Sequence, residues 1–453
     1  MDYLGFVSLT IFIITLFLLL KRPKGINIGI AAGIGALASL LFGTVTLNDT
    51  YYALTNIWDA ALAFLGIVTF SIILDAMGFF RWAAIRVAKM AGGHGVKLFF
   101  FIAMLSATVS ILFANDSAIL ILTPIVIEMI YVLDLTEKNK LAYLFCAGLI
   151  ADTAAMPLIT SNPINIVSAD FFKYTFVEHL IFMAPVAIVT LIVSMLVIYL
   201  FFRKDIPKSY SLKTIETLII NSPRPKWLRT SIVTLIAIDV GYVVASLNRI
   251  PVSFVICLGA IFLFILYLIS CRRELMIKEE ERGAKFILKR INWDILFFMI
   301  AIFLVVQGLK HVGIIELFAS LFINASALPL MLSILVPSLI ITVAASGMNN
   351  WPMTMLGLLS IKQAILAGGL TMQASTSLIF ANIIGNNLGA HFFPFGSLAI
   401  LMWLGTMKRK GLTIKLRDYV KIGVVLSLLE VAIASLILWL EQLLFQLSLN
   451  ITI

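Results

Sequence analysis

Two short polar stretches lie inside long apolar segments, and their residues are the ones most able to do chemistry. They are residues 114–117 (Ala-Asn-Asp-Ser) and 347–352 (Gly-Met-Asn-Asn-Trp-Pro). A carboxylate can bind a proton, while amides and hydroxyls can hydrogen-bond a polar solute. A charge at the centre of a bilayer costs about 2.5–3.5 kcal/mol, so such positions indicate function. The stretches are 235 positions apart, counted from Asn115 to Asn350.

The composition assigns the chain to the membrane. Its 453 residues are 61% hydrophobic and only 12% charged, with a mean hydropathy of +1.08, whereas soluble proteins are about 25% charged. Long apolar runs recur from end to end, which is typical of an all-α polytopic membrane protein. The three cysteines show neither metal-ligand spacing nor a disulfide framework, so we expect no metal and no cofactor.

The hydropathy pattern predicts ten spans, near residues 4–20, 26–42, 57–74, 141–169, 179–202, 230–247, 252–269, 294–309, 370–405 and 419–440. Segment 141–169 is too long for one crossing, because 29 residues of helix measure about 43 Å against a hydrocarbon core of about 30 Å. Segment 370–405 is longer still. Both contain helix breakers, at residues 161–165 (Ser-Asn-Pro-Ile-Asn) and 394–397 (Pro-Phe-Gly-Ser). We therefore expect two helices broken at mid-membrane.

Two further apolar segments, 97–133 and 328–361, contain the polar stretches. The first has 37 residues, which is short for two spans of about 20 residues and a turn. A re-entrant helical hairpin with its tip at Asn115 fits better, provided that protein or a wet cavity surrounds the tip. The alternative is a pair of short crossing helices joined by an outer loop.

This topology explains the net charge of +10. It places 29 of the 33 Lys and Arg residues on one side and leaves only Lys173, Arg249, Lys310 and Lys362 on the other. The positive-inside rule makes the first side cytoplasmic. We expect a multi-pass protein of the plasma membrane with both termini extracytoplasmic, and no nucleic-acid partner.

A repeat relates the two halves of the chain. With an offset of 235, the matching positions are Trp58-Asp59 and Trp293-Asp294, Asp75 and Lys310, Gly78 and Gly313, Asn115 and Asn350, Asp152 and Asn387, and Ser161-Asn162 and Gly396-Ser397. Each half has five spans and one hairpin, an odd number of crossings, so the second half must be inverted. The predicted domains are a first repeat (1–202), a cytoplasmic linker (203–229) and a second repeat (230–453).

Inverted repeats with hairpins and broken helices are typical of secondary transporters with a site near the midplane. The sequence contains no Walker loop, no nucleophile elbow and no metal cluster, so we expect an alternating-access carrier and not an enzyme. An elevator-like motion of the hairpin domain against a scaffold is one form of that mechanism.

The charges of the deep segments restrict the substrate. No Lys or Arg occurs in 98–137, 141–172 or 363–407, whereas Asp116 and Asp152 lie deep. Such a site is poor for a carboxylate, phosphate or sulfate, and it suits a neutral polar solute or a cation exchanged for protons or sodium. Burial favours the protonated form of an acid, which lets it carry a proton.

Each deep acid also has a structural interpretation, Asp116 as a helix N-cap and Asp152 as a hydrogen-bonded core acid. The second repeat has Trp351 and Asn387 at their positions. We hypothesise that the first repeat carries the coupling proton and the second shapes the solute pocket.

The other acids are expected to be solvated or structural. Asp134, Glu137 and Asp170 fall in predicted loops, and Glu128 lies near a segment end. Asp239 and Glu430 lie inside spans without a repeat partner, so we interpret both as structural or interface charges.

Five stretches of the chain resemble one known family. They are residues 113–127 (Phe-Ala-Asn-Asp-Ser-Ala-Ile onward), 152–172, 201–207 (Phe-Phe-Arg-Lys-Asp-Ile-Pro), 348–361 and 381–399. They are similar to the ArsB-type arsenite/antimonite efflux permeases of the ion transporter superfamily, and the resemblance covers essentially the whole chain. It implies export of arsenite and antimonite in exchange for protons, and some members also work with a soluble ATPase subunit. The sequence leaves open whether this chain acts alone, as a homodimer or with that subunit.

The resemblance also implies site residues. For binding the neutral trihydroxide of arsenic they are Asn115, Ser117, Ser161, Asn162, Asn165, Asn349, Asn350, Thr354, Asn382 and Ser397, with Thr153 beside them. For proton coupling they are Asp116 and Asp152.

The chain departs from the family in its second half. Where the family has Gly-x-Asp-Leu-Gly-Pro-Lys, Asn387 replaces the acid and His391 the lysine. Two other functions therefore stay open. A sodium/proton antiporter of the same superfamily could use oxygens of Asp116, Asp152, Asn and Ser as ligands. A dicarboxylate or sulfate symporter is disfavoured because the deep segments lack cations.

Overall fold

A computed structural model describes residues 2–133, 135–211, 225–271 and 283–449. The helices of the first half are α1 (Tyr3–Lys21), α2 (Ile28–Leu41), α3 (Leu47–Ala76), α4 (Phe79–Met90), α5 (Gly95–Phe113), α6 (Asn115–Val132), α7 (Glu137–Thr153), α8 (Pro163–Phe172) and α9 (Phe176–Phe202). Those of the second are α10 (Pro225–Leu247), α11 (Val252–Cys271), α12 (Gly283–Arg290), α13 (Trp293–Gln307), α14 (Ile314–Ser326), α15 (Leu330–Met348), α16 (Asn350–Leu366), α17 (Met372–Phe392), α18 (Leu398–Arg409) and α19 (Leu416–Phe445).

The described residues form an all-α membrane protein. Nine helical stretches among them are long and apolar enough to cross a bilayer. Large apolar side chains such as Ile14, Ile192 and Leu258 point outward on these helices, as expected for surfaces facing lipid. The predicted fold class is thus confirmed.

Helix α3 is longer than predicted, because it starts at Leu47 and not near residue 57. The cause is a capping box, in which the Thr46 side chain accepts from the Asp49 backbone and Asp49 accepts in return. The short helices α4, α12 and α14 were also missing from the prediction, since hydropathy windows find only long apolar runs. Part of the predicted linker 203–229 is helical, with α10 beginning at Pro225.

Both hairpins have very short tips. Only Ala114 separates α5 from α6, and only Asn349 separates α15 from α16. The two residues share an unusual conformation, with φ 63° and ψ 146° at Ala114 and φ 82° and ψ 149° at Asn349. Both are buried, which argues against the alternative of two helices joined by an outer loop.

The two long segments are broken, as predicted. The first break runs from residue 154 to 162 and ends where the Asn162 side chain accepts from the Ile164 backbone. It therefore lies earlier than the predicted 161–165, because Pro163 starts α8, where its missing N–H carries no penalty. The second break lies at residues 393–397, and the Ser397 side chain caps α18.

Packing between the halves is reciprocal. Helix α3 of the first half packs on α11 of the second, and in the same way α13 of the second half packs on α2 of the first. Helix α9 packs on α19. The Asp59 carboxylate accepts from the Ser253 backbone at 3.1 Å, and the Asp294 carboxylate accepts from the Gly29 backbone at 3.0 Å. Asp59 and Asp294 are the pair 235 positions apart, so these contacts support the repeat.

Candidate functional site

Asp152 joins one hairpin tip to both broken helices. It lies at the end of α7 with 2% of its surface exposed. Its Oδ1 accepts a hydrogen bond from the Asn115 amide at 3.0 Å and a longer one from the Ser397 hydroxyl at 3.4 Å. Two residues predicted for the solute and one predicted for the proton are therefore in direct contact.

Asn387 forms the matching junction on α17. Its Oδ1 accepts from the Asn162 amide at 2.9 Å, and its Nδ2 donates to Asn165 Oδ1 at 3.1 Å. Asn162 and Ser397 cap the second segments of the two broken helices. Each cap thus contacts a residue inside the first segment of the broken helix in the other half, the arrangement expected of two repeats related by a twofold axis.

Asp152 also faces a buried histidine and a second acid. Its Oδ2 lies 3.5 Å from Nε2 of His391, and Nδ1 of that ring lies 2.6 Å from Oε2 of Glu430. The other Glu430 oxygen accepts from the Thr153 hydroxyl at 2.8 Å and from the Ser194 hydroxyl at 2.6 Å. His391 and Glu430 are fully buried.

The position of Glu430 beside His391 is not predictable from the repeat. Glu430 has no repeat partner at the offset of 235, and on that ground the sequence predicts a structural charge. The signal available was its position within a long apolar span, where acids are functional by default. His391, one helical turn after Asn387, gave a second signal.

The N-cap interpretation of Asp116 is wrong. Ala114 holds the cap position, α6 already begins at Asn115, and the Asn115 side chain accepts from the Asp116 backbone at 2.9 Å. The Asp116 carboxylate lies in the first turn, is 6% exposed and has no hydrogen-bond partner among the described residues. It interacts electrostatically with Asp152.

The second tip is held by its neighbours. Asn349 donates from Nδ2 to the Phe395 carbonyl in the break at 3.1 Å and accepts from the Trp351 backbone at 3.3 Å. Trp351 is 2% exposed and packs edge-on against Phe298 on α13, with ring centroids 6.0 Å apart. Its side chain therefore packs against the neighbouring helix and does not reach open space.

The predicted solute residues divide into two groups. Those that hydrogen-bond other parts of the protein are Asn115, Ser161, Asn162, Asn165, Asn349, Asn382 and Ser397. Three near the tips have a buried polar atom without a partner in the described structure, namely Ser117 Oγ, Asn350 Oδ1 and Thr354 Oγ1. An unmade buried hydrogen bond costs about 1–3 kcal/mol, so these atoms are the most available for a polar solute.

Of the acids expected in solvent, Glu128 pairs with Arg81 at 2.6 Å and Glu137 with Lys140 at 2.9 Å. Asp134 lies outside the described residues. The expectation for Asp170 is wrong, because it lies within α8 and its Oδ2 is buried with no hydrogen-bond partner among the described residues.

Comparisons with known proteins identify the family. A family model described as arsenical pump membrane protein matches residues 7–440. The chain is 36% identical to the arsenical pump membrane protein of Escherichia coli (strain K12), over 94% of this chain and 97% of that protein. It is 28% identical to the putative arsenical pump membrane protein of Bacillus subtilis (strain 168), over 95% and 99%.

Among solved structures, the YdaH transporter of Alcanivorax borkumensis matches with a TM-score of 0.57 and 14% identity, over 90% of this chain and 89% of that one. This likeness shows a shared transporter fold and no more. The match to the family model and the identity to the Escherichia coli protein show that the chain belongs to the arsenical pump membrane protein family.

Proposed function

We propose that this protein exports trivalent arsenite and antimonite from the cytoplasm in exchange for protons, by alternating access. The observation that carries the proposal is the enclosed Asp152 carboxylate, which holds the hairpin tip through Asn115. A protonatable group placed there can couple proton binding to the position of the tip. The family's name supports the substrate class.

The solute site follows from the polar atoms around the tips. Arsenous acid is neutral and carries three hydroxyls, each of which donates and accepts hydrogen bonds. Ser117, Asn350 and Thr354 offer the unpaired atoms, and the remaining predicted residues keep the breaks and tips in place. No salt bridge to Lys or Arg is found at Asp116 or Asp152 in the described residues, which suits an uncharged solute.

Protonation would change the contacts of Asp152. As a carboxylate it only accepts, and it receives Asn115 and Ser397 at Oδ1. Once Oδ2 is protonated, Oδ1 still accepts from Asn115 and Ser397, but these hydrogen bonds lose their charge assistance, and charge-assisted hydrogen bonds are roughly twice as strong as neutral ones. The tip is then less firmly held, and this is the step at which a proton alters solute access.

The proposal extends to the architecture. The domains are 1–202 and 230–453, related as inverted repeats, with the hairpins and broken helices moving together against a scaffold. The protein lies in the plasma membrane with both termini outside. A soluble ATPase subunit and a homodimer remain partners that the family resemblance allows, and the proposed transport step needs neither.

The test is arsenite uptake into everted membrane vesicles, where an acidic interior drives uptake. We expect collapse of the proton gradient to abolish uptake, and Asp152→Asn to lower it by about tenfold or more, the scale of a lost proton-transfer group. Asp239→Asn is the control, since Asp239 lies on α10, which packs mainly on α9 and α11. Arsenite uptake unchanged by collapse of the proton gradient would contradict the coupling. Proton-driven sodium uptake into the same vesicles, without arsenite uptake, would favour the sodium/proton antiporter.

A further inference from the structure

Three titratable side chains lie in a line through the core. They come from three helices, with Asp152 on α7, His391 on α17 and Glu430 on α19. The carboxylates lie on opposite sides of the imidazole. Glu430 Oε2 is hydrogen-bonded to Nδ1 at 2.6 Å. Asp152 Oδ2 lies 3.5 Å from Nε2, and neither of these two atoms has a hydrogen-bond partner in the described residues, so proton transfer between them requires a small approach. An imidazole in this position can accept a proton on one nitrogen and release one from the other.

Both carboxylate oxygens of Glu430 are hydrogen-bonded. Hydroxyls of Thr153 and Ser194 donate to Oε1, while Oε2 contacts the ring. Both hydroxyls have a second acceptor, the backbone carbonyls of Leu149 and Thr190, so they can turn toward these if Glu430 becomes protonated. The network thus accommodates both states of the acid.

We propose that Glu430 is a second proton site of the carrier and that His391 passes the proton between it and Asp152. This inference rests on the proposed proton coupling. Protonated Asp152 gives its proton to Nε2 of His391, and Nδ1 gives its own proton to Oε2 of Glu430. The imidazole ends neutral with its proton on Nε2, Asp152 ends ionised and Glu430 protonated. The reverse sequence restores the start.

The transfer has a consequence for the tip. When the proton moves to Glu430, Asp152 becomes a pure acceptor again and can hold Asn115, while the proton stays in the core. Two other titratable groups in the described structure interact electrostatically with this line, Asp116 with Asp152 and Tyr419 with both carboxylates.

The experiment compares Glu430→Gln with Glu441→Gln in everted vesicles. Glu441 is a matched control because it lies on the same helix and is 7% exposed, but it is outside this line. Two assays are run, proton-driven arsenite uptake and arsenite counterflow, in which labelled and unlabelled arsenite exchange without net proton movement.

We expect Glu430→Gln to lower proton-driven uptake by about tenfold or more and counterflow by less than about threefold, since only the first needs a second proton-transfer site. Glu430→Asp should recover part of the uptake. Glu441→Gln should behave as the wild type in both assays.

Proton-driven uptake by Glu430→Gln equal to that of the wild type would overturn the inference, and so would an equal loss of uptake and counterflow, which would indicate a structural role. If the wild type itself shows no proton-driven arsenite uptake, the proposed function fails instead. The two failures are therefore distinguishable.

Discussion

The site residues depend on one another across the chain. Asp152 and Asn387 occupy equivalent positions, but one is an acid that contacts a histidine and the other is an amide between two amides. An amide suits its position because it must accept from Asn162 and donate to Asn165 at once. A carboxylate there could accept but not donate.

Asn387→Asp should therefore destabilise the protein in a pH-dependent way. When the new carboxyl group is ionised, it cannot donate to Asn165 Oδ1, and two acceptor oxygens then face each other. We expect this to lower the free energy of unfolding by about 1–3 kcal/mol. Protonated, it can donate to Asn165 while accepting from Asn162. Its folded state thus favours the protonated form, so stability should be nearly normal at low pH and fall as pH rises. Thermal unfolding in detergent at several pH values would check this, and a loss that is the same at every pH would contradict it.

The sequence was enough to predict many of the residues that belong to the site, but not which of them contact one another. Asn115, Asp152 and Ser397 each carried a signal, because polar residues deep in apolar segments are rare. Their mutual contacts join positions 37 and 245 apart in the chain, which no local pattern encodes. The contacts of Glu430 were not predictable for the same reason, since its partners Ser194 and His391 are distant in sequence.

At the scale of elements, close helix packing positions the network. Gly423 on α19 lies against the backbone of α17, and a Cβ there would overlap the His391 carbonyl oxygen. The absence of a side chain therefore lets α19 bring Glu430 to the imidazole on α17. Small residues have this role at many helix interfaces in membranes.

Gly423→Ala should destabilise the protein by about 1–3 kcal/mol, because backbone must move to relieve the overlap. Gly405→Ala on α18 is the control, since its Cβ would meet only the flexible end of Arg409 at 3.7 Å, and alanine favours a helix by up to about 1 kcal/mol. Thermal unfolding should therefore move in opposite directions for the two variants. A shift in the same direction would show that the close approach at His391 is not limiting.

The hydropathy pattern predicted some helix boundaries and not others. The two breaks and two tips were predictable because Pro, Gly, Ser and Asn interrupt apolar runs. The early start of α3 was not, since residues 47–56 are mixed in polarity and their helix depends on the cap at Thr46. Position 154, where the first break begins, carries an ordinary alanine, but Pro157 follows three residues later. Proline cannot donate to the carbonyl four residues earlier, here that of Thr153, and this local effect accounts for the end of α7 at Thr153.

At the scale of the whole molecule, two ion pairs join the halves, and the equivalent positions in them carry opposite charges. Arg290 pairs with Asp75 at 2.7 Å, and Lys310 pairs with Asp49 at 2.9 Å. Asp75 and Lys310 are 235 positions apart, so equivalent positions carry opposite signs and each finds its partner in the other half. These pairs would lie at opposite membrane surfaces if the halves are inverted.

The orientation can be tested with impermeant thiol reagents in a variant whose native cysteines are replaced. Leu47 is 80% exposed at the start of α3, and Lys208 is exposed after α9. With the cation-rich side inside, Leu47→Cys should react in intact cells and Lys208→Cys only after the membrane is permeabilised. The reverse pattern would indicate the opposite membrane orientation, with the termini in the cytoplasm. Reaction of both in intact cells would exclude an odd number of crossings between them, and with it the inverted relation of the halves.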